Sequence, residues 1–122
     1  MVITNQKIMP HFVIDCSENI IRQKSPQEIM QKVYETADLT RLFAKGDIKI
    51  RINPFTHYIV GNKQDDFIHV FANIMEGRNI AQKKRLSENI ASELKAMFPE
   101  VPIISINIRD FEKATYYNKS MV

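Results

Sequence analysis

The chain reads as an α/β (α+β) domain in which two successive βαβ units form one four-stranded sheet with two helices on a single face. Three observations predict this. Residues 11–15, 48–53, 67–75 and 103–108 show the alternation or β-branched density of strands. Between the first and second of these runs, and again between the third and fourth, apolar residues recur at helical three-to-four spacing. Each helical stretch opens on a start signal, so the order is strand, helix, strand, twice over. Right-handed crossovers then make the two strands of each unit parallel. With both helices on one face, the other face needs cover, and in a chain this short a further copy of itself is the economical source.

Taken in order, His11 to Asp15 alternates as a strand. Ser25-Pro26-Gln27-Glu28 supplies an N-cap serine, proline at the first helical position and glutamate at the third. Ile29, Val33 and Ala37, flanked by Met30 and Tyr34, form the apolar stripe of that helix through about residue 37. Ile48, Ile50 and Ile52 then alternate with Lys49, Arg51 and Asn53, a half-buried strand that Pro54 interrupts. Residues 57–60 resume extended structure before a Gly61-Asn62 turn. Phe67 to Met75 (FIHVFANIM) is a long strand. Asn79 caps a second helix with the stripe Leu86, Ile90, Leu94 and Met97, which Pro99 and Pro102 end. Residues 103–108 (IISINI) form the last core strand, ahead of a polar, aromatic tail over residues 114–122.

Composition narrows the function classes. The 122 residues, 44% of them hydrophobic, suit one domain with a modest core. The net charge of +3 comes from 17 basic and 14 acidic residues spread along the chain, too small an excess to argue for nucleic acid. Lys83-Lys84-Arg85 falls on the second helix beside Glu88 and Glu93, without interleaved aromatics, and reads as a solvated face. An anionic small substrate is compatible with this charge. No run approaches the roughly 18–20 apolar residues of a membrane span, and residues 1–10 lack the apolar stretch of a secretory signal, so a cytoplasmic protein is expected. The single cysteine, Cys16, forms no internal disulfide and reads as a buried strand thiol. His57 and His69 lack metal-type spacing and read as packing or interface residues, so no metal is expected. Asp65-Asp66 reads as a solvated, capping turn, and Met30, Met75 and Met97 as core.

Met9-Pro10 carries the chemistry. Translation from Met9, followed by methionine removal, would expose Pro10 as a secondary amine able to accept a proton; inside a chain the same nitrogen is an amide with no useful basicity. The expected organisation is an extension over residues 1–9 and a single domain over residues 10–122.

Pro10-His11-Phe12 with the following acidic residue, Cys16 and Ser17, the Ile48-Lys49-Ile50-Arg51 strand, the Asp66-Phe67-Ile68-His69-Val70 strand and the Gly77-Arg78 step before the second helix together resemble the 5-carboxymethyl-2-hydroxymuconate isomerases of the tautomerase superfamily. The resemblance covers the chain from Met9 onward. It implies the fold shared with macrophage migration inhibitory factor and 4-oxalocrotonate tautomerase, assembled as a homotrimer. It also implies a cofactor-free isomerase that moves a proton in an unsaturated 2-hydroxy (2-oxo) polycarboxylate during aromatic-compound catabolism. By this resemblance Pro10 is the base, and Arg78, Arg51 and Lys49 hold the carboxylates. Arg78 stands before a helix whose free amides favour an anion. Lys49 and Arg51 are two apart on one strand and share a face. Lysine cannot reproduce the bidentate clamp of the arginine that some relatives carry at the Lys49 position, which bears on substrate preference. His11, pointing to the opposite face from Pro10, reads as structural. Two alternatives stay open: a superfamily member with another reaction, decarboxylation or hydration, or a non-catalytic oligomer if Pro10 is never freed.

Overall fold

The computed structural model describes residues 9–122; residues 1–8 of the expected extension lie outside the described residues. Strand β1 (His11–Ser17) runs into a short helix α1 (Glu18–Gln23) and then α2 (Pro26–Leu39), before β2 (Lys49–Phe55). Strand β3 (Phe67–Met75), helix α3 (Ile80–Met97) and β4 (Ile103–Phe111) form the second unit. The sheet order is β2-β1-β3-β4. β1 and β2 are parallel, as are β3 and β4, and the two units meet through antiparallel β1 and β3. The parallel pairing expected within each unit is therefore present.

Each main helix begins where its sequence says it should, because side chains satisfy the amides that a helix start leaves unpaired. Ser25 Oγ accepts from the Glu28 amide while Glu28 Oε1 accepts from the Ser25 amide, and Pro26 follows at the first turn. Asn79 and Gln82 repeat the reciprocal pair at α3. Ile29, Val33 and Ala37 of α2 and Leu86, Ile90 and Leu94 of α3 are buried. They meet Phe12, Ile14, Cys16, Ile68, Val70, Ala72 and Ile74, the residues that alternation sends to one side of β1 and β3. Each fully buried Ile, Leu or Val side chain here is worth about 1.5–3 kcal/mol. Among the described residues no helix is long and apolar enough to cross a membrane.

Three local expectations are corrected. Pro54 does not interrupt β2, which continues to Phe55 with Pro54 in register with Cys16. β2 is an edge strand, where a residue without an N–H can be tolerated. Residues 57–60 form no strand: Val60 and Lys63 make an isolated bridge around Gly61 and Asn62, both at positive φ of 54° and 67°. That tight turn closes on itself and leaves no length for pairing. Helix α1 was not anticipated, since six residues burying only Ile20 carry too little periodicity. Its position is fixed by tertiary contacts: Ser17 Oγ and Asn19 Nδ2 donate to the two carboxylate oxygens of Asp66, each at 2.9 Å, and Ser17 Oγ also accepts from the Phe67 amide. Asp66 thus tethers the end of β1 and the start of α1 through their side chains rather than capping a backbone amide.

Candidate active site

The antiparallel register decides which ends of the strands meet. His11 pairs with Asn73 of β3 and with Lys49 of β2, so the start of β1 lies beside the start of β2 and the end of β3. Pro10, Lys49 and, past the end of β3, Arg78 accordingly lie toward one end of the sheet, with the Lys49 side chain on the face of its register partner His11, opposite to the face that alternation gives Pro10. Pro10 is buried, and its carbonyl accepts the Lys49 amide at 3.2 Å. Met9, immediately before it, is fully buried.

Arg78 is held under this end. Its Nη1 donates to the Met75 carbonyl at 3.2 Å and its Nη2 to the Leu42 carbonyl at 2.6 Å. The guanidinium also stands over the Phe43 ring, 5.0 Å from its centroid, and Phe43 packs edge-on against Phe12 two residues beyond Pro10. Gly77, at φ of 123°, makes the turn that swings Arg78 back, a conformation open to glycine and strained for other residues. Burial lowers the Arg78 pKa from its ordinary value, with Asp110 opposing the shift. At the start of α3 the Gln82 amide, and that of Asn79 just before the helix, are taken up by the reciprocal Asn79–Gln82 pair. Arg78 thus commits two of its N–H donors to carbonyls of the fold.

Lys49 and Arg51 are exposed on the sheet face away from α2 and α3, as alternation requires. Lys49 Nζ donates to the Asp47 carbonyl at 2.7 Å. Arg51 Nη1 lies 3.1 Å from His11 Nδ1. His11 shares this face with both cations, and the Asn73 side chain donates to its carbonyl. Burial, then Lys49, then Arg51 lower the His11 pKa from its ordinary value. Reading His11 as simply structural overlooked this contact. The signal was present in the period of the two strands, but not in the register that brings them together. Cys16 is buried on the opposite, helix-covered face, its pKa pushed up to about 12 by burial, with Asp15 and Asp66 adding to the shift.

The sheet is thus built from two parallel βαβ units joined through antiparallel β1 and β3. The sequence profile of the family 5-carboxymethyl-2-hydroxymuconate isomerase matches residues 10–122, and the chain belongs to that family. It is 26% identical over 92 residues to the 5-carboxymethyl-2-hydroxymuconate Delta-isomerase of Escherichia coli, covering 74% of this chain and 73% of that protein. The crystal structure of a 5-carboxymethyl-2-hydroxymuconate isomerase from Deinococcus radiodurans R1 superposes with a TM-score of 0.81 at 23% identity, covering 93% of this chain and 90% of that one. The fused 4-OT protein F6, described as an asymmetric trimer, matches with a TM-score of 0.75 at 15% identity over 90% of this chain and 93% of its own.

Proposed function

We propose that the protein is a cofactor-free isomerase that moves a proton within 5-carboxymethyl-2-hydroxymuconate or a closely related unsaturated polycarboxylate, in cytoplasmic aromatic-compound catabolism. Pro10 acts as the base when it is the amino-terminal residue. The observation that carries this reading is the family match beginning at Pro10, the residue that lies with Lys49 and Arg78 at one end of the sheet. A terminal amine has a reference pKa of about 7.7–8.0 and a proline amine starts higher; burial and neighbouring cations favour the neutral form. The neutral nitrogen takes the proton of the 2-hydroxyl, electron density moves along the conjugated chain, and the same nitrogen returns a proton to a distal carbon. Arg78, Lys49 and Arg51 hold carboxylates and stabilise the enolate charge that develops. The working unit is a homotrimer, a proposal supported by the polar open sheet face, the tail over residues 114–122 and the trimeric relative.

A second reading applies to the chain that carries residues 1–9. There the Pro10 nitrogen is a tertiary amide, and Met9 is fully buried beside it. That form folds and assembles without catalysis. The test compares a chain beginning at Pro10 with the 122-residue chain on one dienol substrate by ultraviolet absorbance, with circular dichroism as the folding control. The shorter chain is expected to be faster by about 10²–10⁴-fold, the range of general acid–base catalysis. Equal turnover, once mass spectrometry has excluded trimmed chains, would rule out Pro10 as the base.

A further inference from the structure

We propose that His11 is a positioning residue: its neutral imidazole holds the Arg51 guanidinium in place for a substrate carboxylate and releases it on protonation. The inference deepens the isomerase reading and rests on it for the identity of the anion.

It begins from donors and acceptors. A guanidinium carries five N–H donors and no acceptor, so Arg51 Nη1, 3.1 Å from His11 Nδ1, must be the donor. Nδ1 therefore presents a lone pair, and the proton of the neutral ring sits on Nε2. Protonating Nδ1 would place an N–H against a guanidinium and replace a hydrogen bond with a contact between two cations.

The surrounding charges reinforce this. Lys49, opposite His11 in register, and Arg51, opposite Val13, face it from β2. Asp15 supplies a carboxylate further along β1, but its Oδ1 accepts from Asn53 at 3.2 Å. From β3 the facing residues are the neutral Asn73 and Phe71, with His69 opposite Asp15. From β4, Arg109 is opposite Asn73, and its guanidinium lies over Phe71 at 4.7 Å. A protonated Pro10 terminus would add one more positive charge. Among the described residues the groups that shift His11 are its burial, Lys49 and Arg51, and all three lower its pKa from 6.5.

An exposed arginine loses much rotamer freedom when it clamps an anion, and a side chain already held by an acceptor has lost part of that freedom beforehand. Holding Arg51 should therefore act on substrate binding, while Pro10 governs turnover.

The test uses the chain beginning at Pro10 and two variants. His11→Leu removes the acceptor and should raise KM for 5-carboxymethyl-2-hydroxymuconate about tenfold at neutral pH with kcat little changed, one decade being a modest charge-assisted hydrogen bond. His11→Asn puts a carboxamide oxygen where Nδ1 stands and cannot titrate. It should bring KM back toward the unsubstituted value and abolish the rise in KM that the unsubstituted protein shows as pH falls through the His11 pKa, below 6.5. In parallel, ¹⁵N spectra of the imidazole in the free protein should show the Nε2–H form near neutral pH, and Arg51→Met should raise the His11 pKa. An Nδ1–H ring, a His11 pKa indifferent to Arg51→Met, or a KM unmoved by His11→Leu would each overturn the proposal. A chain beginning at Pro10 that folds but turns over no dienol sinks the isomerase reading instead; the spectra still decide whether His11 holds Arg51.

Discussion

Each half of the sheet places a histidine on the open face, and the two are set in opposite surroundings. His69, in the second half, lies between Ser105 Oγ and Asn107 Oδ1, each 2.6 Å from a ring nitrogen, with the Phe71 ring edge-on at 4.4 Å. Both of its nitrogens are engaged by neutral groups of β4, while Arg109 lies over Phe71. His11, in the first half, faces Lys49 and Arg51 and bonds to the latter. One backbone plan thus yields a histidine bonded to neutral side chains in one half and a histidine bonded to a guanidinium in the other. Pro10, Lys49 and Arg51 lie in the first half and Arg78 in the second, which also has the longer main helix and the longer strands.

Arg78 tests how separable the halves are, because it belongs to the second and bonds to Leu42 of the first. Arg78→Ala should lower stability by about 1.5–3 kcal/mol, since two carbonyls lose a charged donor. Denaturant unfolding measures this, and Arg78→Lys should recover only part of it, because a point charge cannot replace the two-pronged donor. A variant with unchanged stability but impaired turnover would make Arg78 a substrate ligand alone.

Ser17 is the corresponding join at the other end of the sheet, linking the end of β1 to Asp66 and the Phe67 amide. Ser17→Ala should cost about 1–2 kcal/mol, seen as a lower midpoint in thermal melts. If the loss is confined to faster amide exchange in α1, the halves are joined elsewhere.

The two main helices use the same start device, so equal changes should have equal effects. Ser25→Ala and Asn79→Ala should each cost about 1 kcal/mol. A clearly larger loss from one would identify the half whose helix depends more on its own first turn than on packing.

The smallest effect concerns Cys16. Its folded pKa, raised to about 12, exceeds the ordinary value of 9.0. The neutral thiol therefore contributes stability that is complete below about pH 9 and is lost as pH rises toward 12. Labelling of the folded protein at pH 8 by a thiol reagent should be negligible until denaturant is added. Reaction at the unfolded rate would mean that the first half opens locally.

Much of the architecture could be read directly. The strand over Phe67–Met75, the caps at Ser25 and Asn79, the helical stripes and the buried Cys16 all follow from residues within one or two turns of each other. Pro10 was legible as a candidate base by its chemistry alone, and Lys49 and Arg51 as neighbours on one face by their spacing. Local period is a local property, and it survives into the fold because side-chain alternation and helical pitch are set by the backbone.

Other features were not written locally. Helix α1 depends on Asp66, nearly fifty residues away; Pro54 stays in a strand because β2 falls at the sheet edge; Arg78 turns from the start of α3 toward Leu42; and His11 meets Arg51 across two strands. Each is settled by which segment lies beside which and in what register. Register minimises the exposed apolar surface of the whole sheet, so it depends on every strand and both helix stripes at once, and no single window of residues contains it.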